Sequence, residues 1–408
     1  MQLISADYIF PISEPPIKNG IVAIDDDGII VEIINPKTSN IQHPTSNIHK
    51  HKGIICPGFI NAHCHLELSH LKNKISEKTG LPQFIKDFQN IRKSNNGNTY
   101  EAIEKAENEM LKNGIVGVGD ISNTNDSFSQ KEKNNLRCHT FLELFSFNPD
   151  KANETFDRAL KLMKSVPRIS SPSGRSGGAS IVPHSPYSVS EKLVRKIAKY
   201  NFQNAGLMSI HNQETRDENL LFQNKKGKIA EMLKHFGNDL SKWKHSKKTS
   251  LQTIFPYFFP LNKKSKILFV HNTFTTKKDL DFLKSEIANP KSEIYFCFCP
   301  NANLYIENRL PDFQLFIDAN FKITVGTDSL ASNWNLSILE ELKTISKNSP
   351  QIPLNTLLTW ATKNGADFFG WNDFGTIEKR KKCGLNLIQN VDLKNLKLRN
   401  ESSIIKLL

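Results

Sequence analysis

At 408 residues, with 38% apolar and 23% charged side chains, the chain suits a soluble globular protein built from one large domain and a minor one, and this balance excludes a disordered polymer. The opening MQLISADYIFPISEPPIKNG lacks the features of a signal peptide, and no apolar run approaches the roughly 18 residues of a membrane span. A net charge of +13 raises nucleic acid as a partner, but the lysines spread along the whole chain without zinc-finger spacing, an RNA-binding aromatic signature or a basic heptad helix. A solvated basic surface is the favoured reading, so neither nucleic acid nor membrane is expected as a partner, while acidic substrates stay open. The six cysteines lie in or beside apolar segments, as buried free thiols do in a reducing cytoplasm.

Residues 1–53 read as short strands and turns, including the turn-like DDDG at 25–28. Eight β-like segments follow: 54–65, 115–122, 138–145, 179–186, 206–214, 266–274, 293–300 and 322–329. Each is a short apolar run rich in Val, Ile and Phe, as strands buried on both faces are. Helical patterns fall between many of them. In YEAIEKAENEMLKNG, Ile103, Ala106, Met110 and Leu111 line one face and Gly114 is a C-terminal stop. Ser188 and Glu191 have capping-box spacing before KLVRKIAKY. SSPSGRSGGAS (170–180) is a flexible loop by composition, and 215–263 is a basic, Phe-rich insertion too long for an ordinary connection. It is expected over the barrel mouth, where TIFPYFFP (253–260) either walls a flat substrate or, as is favoured, packs on an outer helix. Residues 375–408 read as short strands again. The fold class is α/β: a (β/α)8 barrel over 54–374, with a small β-sandwich domain assembled from 1–53 and 375–408.

In such barrels chemistry sits at the C-terminal ends of the strands. Applied blindly, that rule selects His63 and His65, His184, His211 with Glu214 three residues on, His271 and Asp328. In a strand His63, His65 and Glu67 would share one face. Taken singly, a histidine at a strand end is more often structural or merely exposed, and Asp328 reads equally as a helix cap. Taken together, the His-x-His pair, a later lone histidine and a terminal aspartate make four N/O ligands suited to one divalent ion, Zn²⁺ first and Fe²⁺ second, with an open position for water. Other chemistries lack their motifs. Cys297 and Cys299 are not in C-x-x-C spacing, and there is no H-x-E with P-C-x-x-C, no G-x-S-x-G, no Walker A and no G-x-G-x-x-G after a strand.

PGFINAHCH, PHSPYS, SIHNQE, LFVHNT, CPNANLYIENRLPD, VGTDSLASNWNLSILEEL and LLTWATKNGADFFGW resemble the amidohydrolase superfamily. The branch they are most similar to holds cytosine deaminase, chlorohydrolases, and adenosylhomocysteine and aminodeoxyfutalosine deaminases. The resemblance runs from about residue 20 to 390. It implies His63, His65, His211 and Asp328 as ligands of a single metal, Glu214 as proton shuttle, His271 beside the reacting water and His184 as a substrate contact. Strand four ends in IVPHSP without a lysine, which argues against a carbamylated bridge and a second metal. The family's CPRSN is CPNAN here, so Asn301 stands where an arginine would meet substrate, and GK.AD is RKKCGLN.

Glu67 is weighed evenly between touching substrate and supporting the ligands. Asn303, Tyr305, Asn308 and Arg309 form a polar group that could read a ribose or carboxylate, and Asn303 and Arg309 are taken as substrate-binding candidates. The expected activity is hydrolytic deamination of a purine-like base or nucleoside with release of ammonia. Aminodeoxyfutalosine, adenosylhomocysteine and simpler aminopurines all stay open. The alternatives are a cyclic amide or chlorinated ring on the same site, or a non-catalytic binding protein on this scaffold. A homodimer stays open too.

Overall fold

The apolar run 54–65, read from sequence as one strand, is broken at Gly58 into two strands of different sheets. A Cβ at Gly58 would stand 2.4 Å from Val116 Cγ1 and 2.9 Å from the Cys383 carbonyl oxygen, so only glycine lets the chain pass between the sheets there. The computed structural model describes residues 1–38, 48–94, 98–167, 178–204, 206–241, 243, 245–258, 266–287 and 293–408. Most of the loop expected at 170–180 falls outside the described residues.

The N-terminal strands are β1 (Gln2–Ile9), β2 (Ile17–Lys18), β3 (Ile21–Ile24), β4 (Ile30–Ile34) and β5 (Ile48–Pro57). The barrel strands are β6 (Phe59–Cys64), β7 (Ile115–Ser122), β8 (Arg137–Leu144), β9 (Ala179–Pro183), β10 (Met208–Asn212), β11 (Lys266–His271), β12 (Glu293–Phe298) and β13 (Lys322–Val325). Near the C-terminus come β14 (Leu385–Gln389) and β15 (Ser403–Lys406). Both chain ends build one mixed sheet in the order β15-β14-β5-β1-β3-β4, with β2 on β1. β14 pairs antiparallel with β5 in the register Leu385↔Pro57 to Ile388↔Ile54, which ties the two ends together just before the barrel begins. Ile4, Ile9, Val22, Ile55, Leu385 and Leu387 form the buried face of that sheet. The resulting α/β architecture, a barrel-like parallel core with a small β unit from both termini, agrees with the expectation.

The eight barrel strands fall into two parallel four-stranded sheets, β6-β7-β8-β9 and β10-β11-β12-β13. Backbone bonds close both seams. At one, Thr327 N and Asp328 N both donate to the His63 carbonyl at 3.1 Å, and Cys64 bridges Asp328 in parallel register. At the other, His211 N donates to the His184 carbonyl at 2.9 Å. The barrel strands are buried on both faces. Phe141, Leu268, Val270, Tyr295 and Cys297 belong to one apolar cluster, while the alternate residues Leu142, Ile267, Phe269, Ile294 and Phe296 belong to another.

Helices fill the connections. The one expected around Ile103 runs Thr99–Lys112, capped by Asn98 Oδ1 accepting from Glu101 N, and Gly114 follows at φ +70°. The Glu191–Asn204 helix starts later than the capping-box reading requires. Ser188 Oγ is engaged with Ser185, and Ser190 Oγ accepts from Leu193 N instead. The insertion splits into Arg216–Asn224, Lys228–His235 and Ser250–Ile254. Phe255 and Phe258 are buried with ring centroids 6.3 and 6.5 Å from Phe269 of β11, and Phe255 also lies 6.3 Å from Phe282 of the outer helix Lys277–Glu286. A separate apolar cluster over the mouth joins Leu81, Phe84, Leu221, Met232, Leu233 and Ile306. All six cysteines are buried and unpaired, and among the described residues no helix is long and apolar enough to cross a membrane.

The first seam also depends on a missing side chain. A Cβ at Gly326 would lie 2.8 Å from the His63 carbonyl oxygen and 2.9 Å from its nitrogen. Gly326→Ala is therefore expected to push β13 off β6 and cost about 1–3 kcal/mol. Chemical denaturation measures that loss, and metal titration is expected to show weakened binding in the same variant.

Candidate metal centre and active-site cavity

Each strand end at the mouth contributes one or two polar side chains, and several sit on backbone that side chains rarely adopt. His271 (φ +71°), Asn272 (φ +58°) and Asp328 (φ +56°) are all left-handed. Such conformations persist only where surrounding bonds over-determine them. Asn61 and Thr327 hold the turn before Asp328 reciprocally. Thr327 N donates to Asn61 Oδ1 at 3.0 Å, and Asn61 Nδ2 donates to Thr327 Oγ1 at 2.7 Å. Asn333 Nδ2 donates to the Thr327 carbonyl and to Glu341 Oε1 at 2.6 and 2.8 Å. Asn272 N donates to the Asn212 carbonyl and Asn212 Nδ2 to Asn272 Oδ1, both at 3.0 Å, which fixes the end of β11 against β10.

These constraints bring His63, His65, His211, His271 and Asp328 together, all buried. His63, His211, His271 and Asp328 each offer one ligand atom, all within 4.8 Å of one another. His65 Nε2 lies 3.2 Å from His63 Nε2 and 3.4 Å from Asp328 Oδ1, and His63 Nε2 is 3.6 Å from the same oxygen. Ser332 Oγ donates to Asp328 Oδ2 at 2.6 Å, which leaves Oδ1 facing the histidines.

The donor set fits a divalent ion on its own chemistry. His211 Nδ1 is bonded to the His184 carbonyl at 2.8 Å, and His271 Nδ1 to Asn303 Oδ1 at 2.9 Å. Both acceptors are carbonyl oxygens, so Nδ1 carries the hydrogen and Nε2 keeps its lone pair. His271 Nε2 is buried without a partner among the described residues. Burial drives the His211 imidazole well below its ordinary pKa, with the His184 and His63 charges adding to the effect. Burial lowers His63 as well, and takes His271 down to about 4 against the opposing pull of Asp328. Burial would raise Asp328, but His63, His65 and His271 outweigh it and hold the carboxyl well below its usual range. Neutral imidazoles at His63, His211 and His271 beside an ionised Asp328 are the protonation states that a cation requires.

Beside this cluster opens a cavity of about 660 Å³ lined by His65, Glu143, His184, His211, Glu214, His271 and Asp328 at its base. Phe84, Phe88, Phe145, Tyr187, Leu233 and Phe236 make much of its apolar wall. Among the described residues the insertion thus reaches the cavity through 232–238 rather than through 253–258. Glu214 is buried with Oε2 3.8 Å from His271 Nε2. Burial pushes its carboxyl well above the usual range, and the charges of Asp328, Glu307 and Glu218 push it further.

Other sequence candidates lie elsewhere. β6 stops at Cys64, so Glu67 does not share a strand face with the histidines. It lies in the 3-10 helix Leu66–Leu71, and its Oε2 accepts from Asn123 N, Thr124 N and Thr124 Oγ1, each at 3.0 Å. Asn303 is spent on His271 and does not line the cavity. Arg309 is exposed, its guanidinium 4.8 Å from the Phe274 ring, and it too is absent from the lining. Asn301 is buried, its N donating to Glu341 Oε2 and its Oδ1 accepting from Thr344 Oγ1. Sequence reasoning missed Glu143, at the C-terminal end of β8, whose Oε1 lies 2.7 Å from His184 Nδ1. The rule that selected the histidines would have found it had carboxylates been read as closely.

Comparison with known proteins agrees with this geometry. The model of the Amidohydrolase family matches residues 54–405. The chain belongs to the amidohydrolase family and is a metal-dependent hydrolase of that superfamily, with a buried His/His/His/Asp cluster able to coordinate a divalent ion. It is similar to the adenosine deaminase of Helicobacter pylori, 28% identical over 386 residues, covering 93% of this chain and 88% of that one. It is also similar to the aminodeoxyfutalosine deaminase of Nitratiruptor sp., 24% identical over 347 residues, covering 83% and 80%. Among solved structures it resembles Helicobacter pylori aminofutalosine deaminase in complex with methylthio-coformycin, with a TM-score of 0.77 and 24% identity over 95% of this chain and 92% of that one. The zinc-complexed atrazine chlorohydrolase of Arthrobacter aurescens shares the fold at a TM-score of 0.70 and 16% identity, covering 95% and 86%.

Ser332→Ala would free Asp328 Oδ2 without touching the histidines. It is expected to weaken metal affinity by roughly tenfold or more, as loss of a ligand's outer hydrogen bond does. Titration against a competing chelator measures the change.

Proposed function

We infer that the chain is a hydrolytic deaminase of an aminopurine-type base or nucleoside, releasing ammonia. The observation that carries this reading is the buried Glu214, facing His271 beside the ligand cluster at the base of the cavity. A second support is that relatives matching most of its length are named as deaminases of adenosine, of 5-methylthioadenosine/S-adenosylhomocysteine and of aminodeoxyfutalosine.

His63, His65, His211 and Asp328 would hold the ion, with His271 at its edge. When bound, a divalent ion there supplies Lewis acidity and makes a water nucleophilic near neutral pH. Asp328, its carboxylate oriented by the Ser332 hydroxyl at Oδ2, accepts the proton of the attacking water. Glu214, kept protonated by burial, gives its proton to the ring nitrogen beside the attacked carbon. The Glu214 carboxylate then takes the proton of the new hydroxyl and passes it to the amine, which departs as ammonia while the carbonyl forms, and the proton held by Asp328 returns Glu214 to its acid form. His271, its ring fixed through Nδ1, presents the Nε2 lone pair as an acceptor to the attacking water and orients it. His184, half-exposed on the cavity wall, is placed to contact the substrate. The aromatic wall suits a flat ring and keeps bulk water from it.

The test is ammonia release from a panel of aminopurine bases and nucleosides by metal-reconstituted protein. Release is expected for the wild type, with Glu214→Gln slower by about 10²–10⁴ while still binding one equivalent of metal. If no member of the panel releases ammonia although metal is bound, the deaminase reading falls, and chlorinated rings and cyclic amides become the candidates.

A further inference from the structure

One line of polar contacts runs around half of the barrel mouth. Glu67 Oε2 accepts from Asn123 N at 3.0 Å. Asn123 Nδ2 donates to Glu143 Oε2 and to the Glu143 carbonyl, each at 3.1 Å. Glu143 Oε1 lies 2.7 Å from His184 Nδ1 and 3.5 Å from His211 Nδ1. The His184 carbonyl accepts from His211 N and is bonded to His211 Nδ1 at 2.8 Å. Each link passes to the next element in turn, from the segment after β6, through the ends of β7, β8 and β9, to β10.

Glu143 is where this line turns from scaffold to site. It is 6% exposed, it lines the cavity, and it touches both the cavity histidine His184 and the cluster histidine His211. We propose that Glu143 is a positioning residue: its carboxylate fixes the His184 imidazole through Nδ1, so that Nε2 is the ring nitrogen left for substrate, and Asn123 fixes the carboxylate. This rests on the reading that His184 meets substrate.

The physical case lies in what each group would do alone. The His184 side chain is 28% exposed, and its ring neighbours, Phe145, Tyr187 and His211, are aromatic faces and edges that do not distinguish Nδ1 from Cδ2. Without an acceptor at Nδ1 the ring can turn over and change what it offers the cavity. An ionised carboxylate at 2.7 Å removes that freedom, since the bond to a charged acceptor is shorter and stronger than a neutral one. Glu143 is itself denied rotation because Asn123 Nδ2 meets both its second oxygen and its carbonyl. Asn123 is fixed the same way round, because a flipped amide would set its oxygen against two acceptors.

The test uses full-length, metal-loaded protein carrying Glu143→Ala or Glu143→Gln. For Glu143→Ala, KM on the best aminopurine substrate is expected to rise roughly tenfold to a hundredfold, with a smaller fall in kcat. Glu143→Gln, whose amide oxygen still accepts from Nδ1–H but whose NH2 no longer accepts from Asn123 Nδ2, is expected to recover part of the loss. An independent readout is the histidine ¹⁵N NMR spectrum, with His184 assigned by its loss in His184→Gln. The protected Nδ1–H signal of His184 is expected in the wild type and in Glu143→Gln, and absent in Glu143→Ala. An unchanged signal in Glu143→Ala overturns the proposal, as does a loss of activity that Glu143→Gln does not restore even in part. If no aminopurine is turned over by the wild type and the signal still depends on Glu143, the deaminase reading falls and the positioning role stands.

Discussion

Closure of the barrel at two seams is the constraint on which the site depends. Two four-stranded sheets can meet only where backbone donors and acceptors at their edges find each other, because unpaired buried amide groups are costly. In this chain the meeting points are also the chemistry. Thr327 and Asp328 donate to the His63 carbonyl at one seam, and His211 donates to the His184 carbonyl at the other. The groups that seal the barrel therefore belong to the residues that carry the imidazoles and the carboxylate. A shift in either seam moves site residues on both sides of it.

The mouth is a place where polar groups are buried in number, and many of them are tolerated because they are bonded to one another. Asn61 with Thr327, Asn212 with Asn272, and Asn333 with Glu341 are closed pairs. Deeper, Lys131 is buried against Asp120 at 2.6 Å, and Asp120 Oδ1 accepts from Leu66 N, the residue after His65. A buried ion pair contributes little net stability, but removing either partner leaves an uncompensated charge. Its value here is geometric: it pins the backbone just after the His-x-His pair. His271 Nε2, with no hydrogen-bond partner among the described residues, is the atom that its Nδ1 bond to Asn303 turns toward the ligand cluster.

Much of this was legible in the sequence because it follows from period and position. Eight apolar runs separated by helical patterns define a parallel barrel, and histidines at the ends of those runs converge because strand ends converge. What was not legible depends on where a strand stops. Cys64 ends β6, so Glu67 leaves the face that strict alternation gives it and turns to hold Asn123 and Thr124. Gly58 splits one apolar run between two sheets, which composition does not reveal. Arg309 and Asn303 lie in the same polar stretch, yet a helix ending at Glu307 sends one outward and keeps the other under His271. Glu143 sits inside HTFLELF, where one carboxylate among apolar residues gives no periodic signal.

The central claim is that both seams together create one cation site. Crystals grown with zinc, with anomalous diffraction recorded above and below the zinc edge, test it most directly. The account predicts one strong peak per chain, within coordination distance of His63, His65, His211 and Asp328 and on the cavity side of His271. A peak elsewhere, or none at full zinc loading, would contradict it.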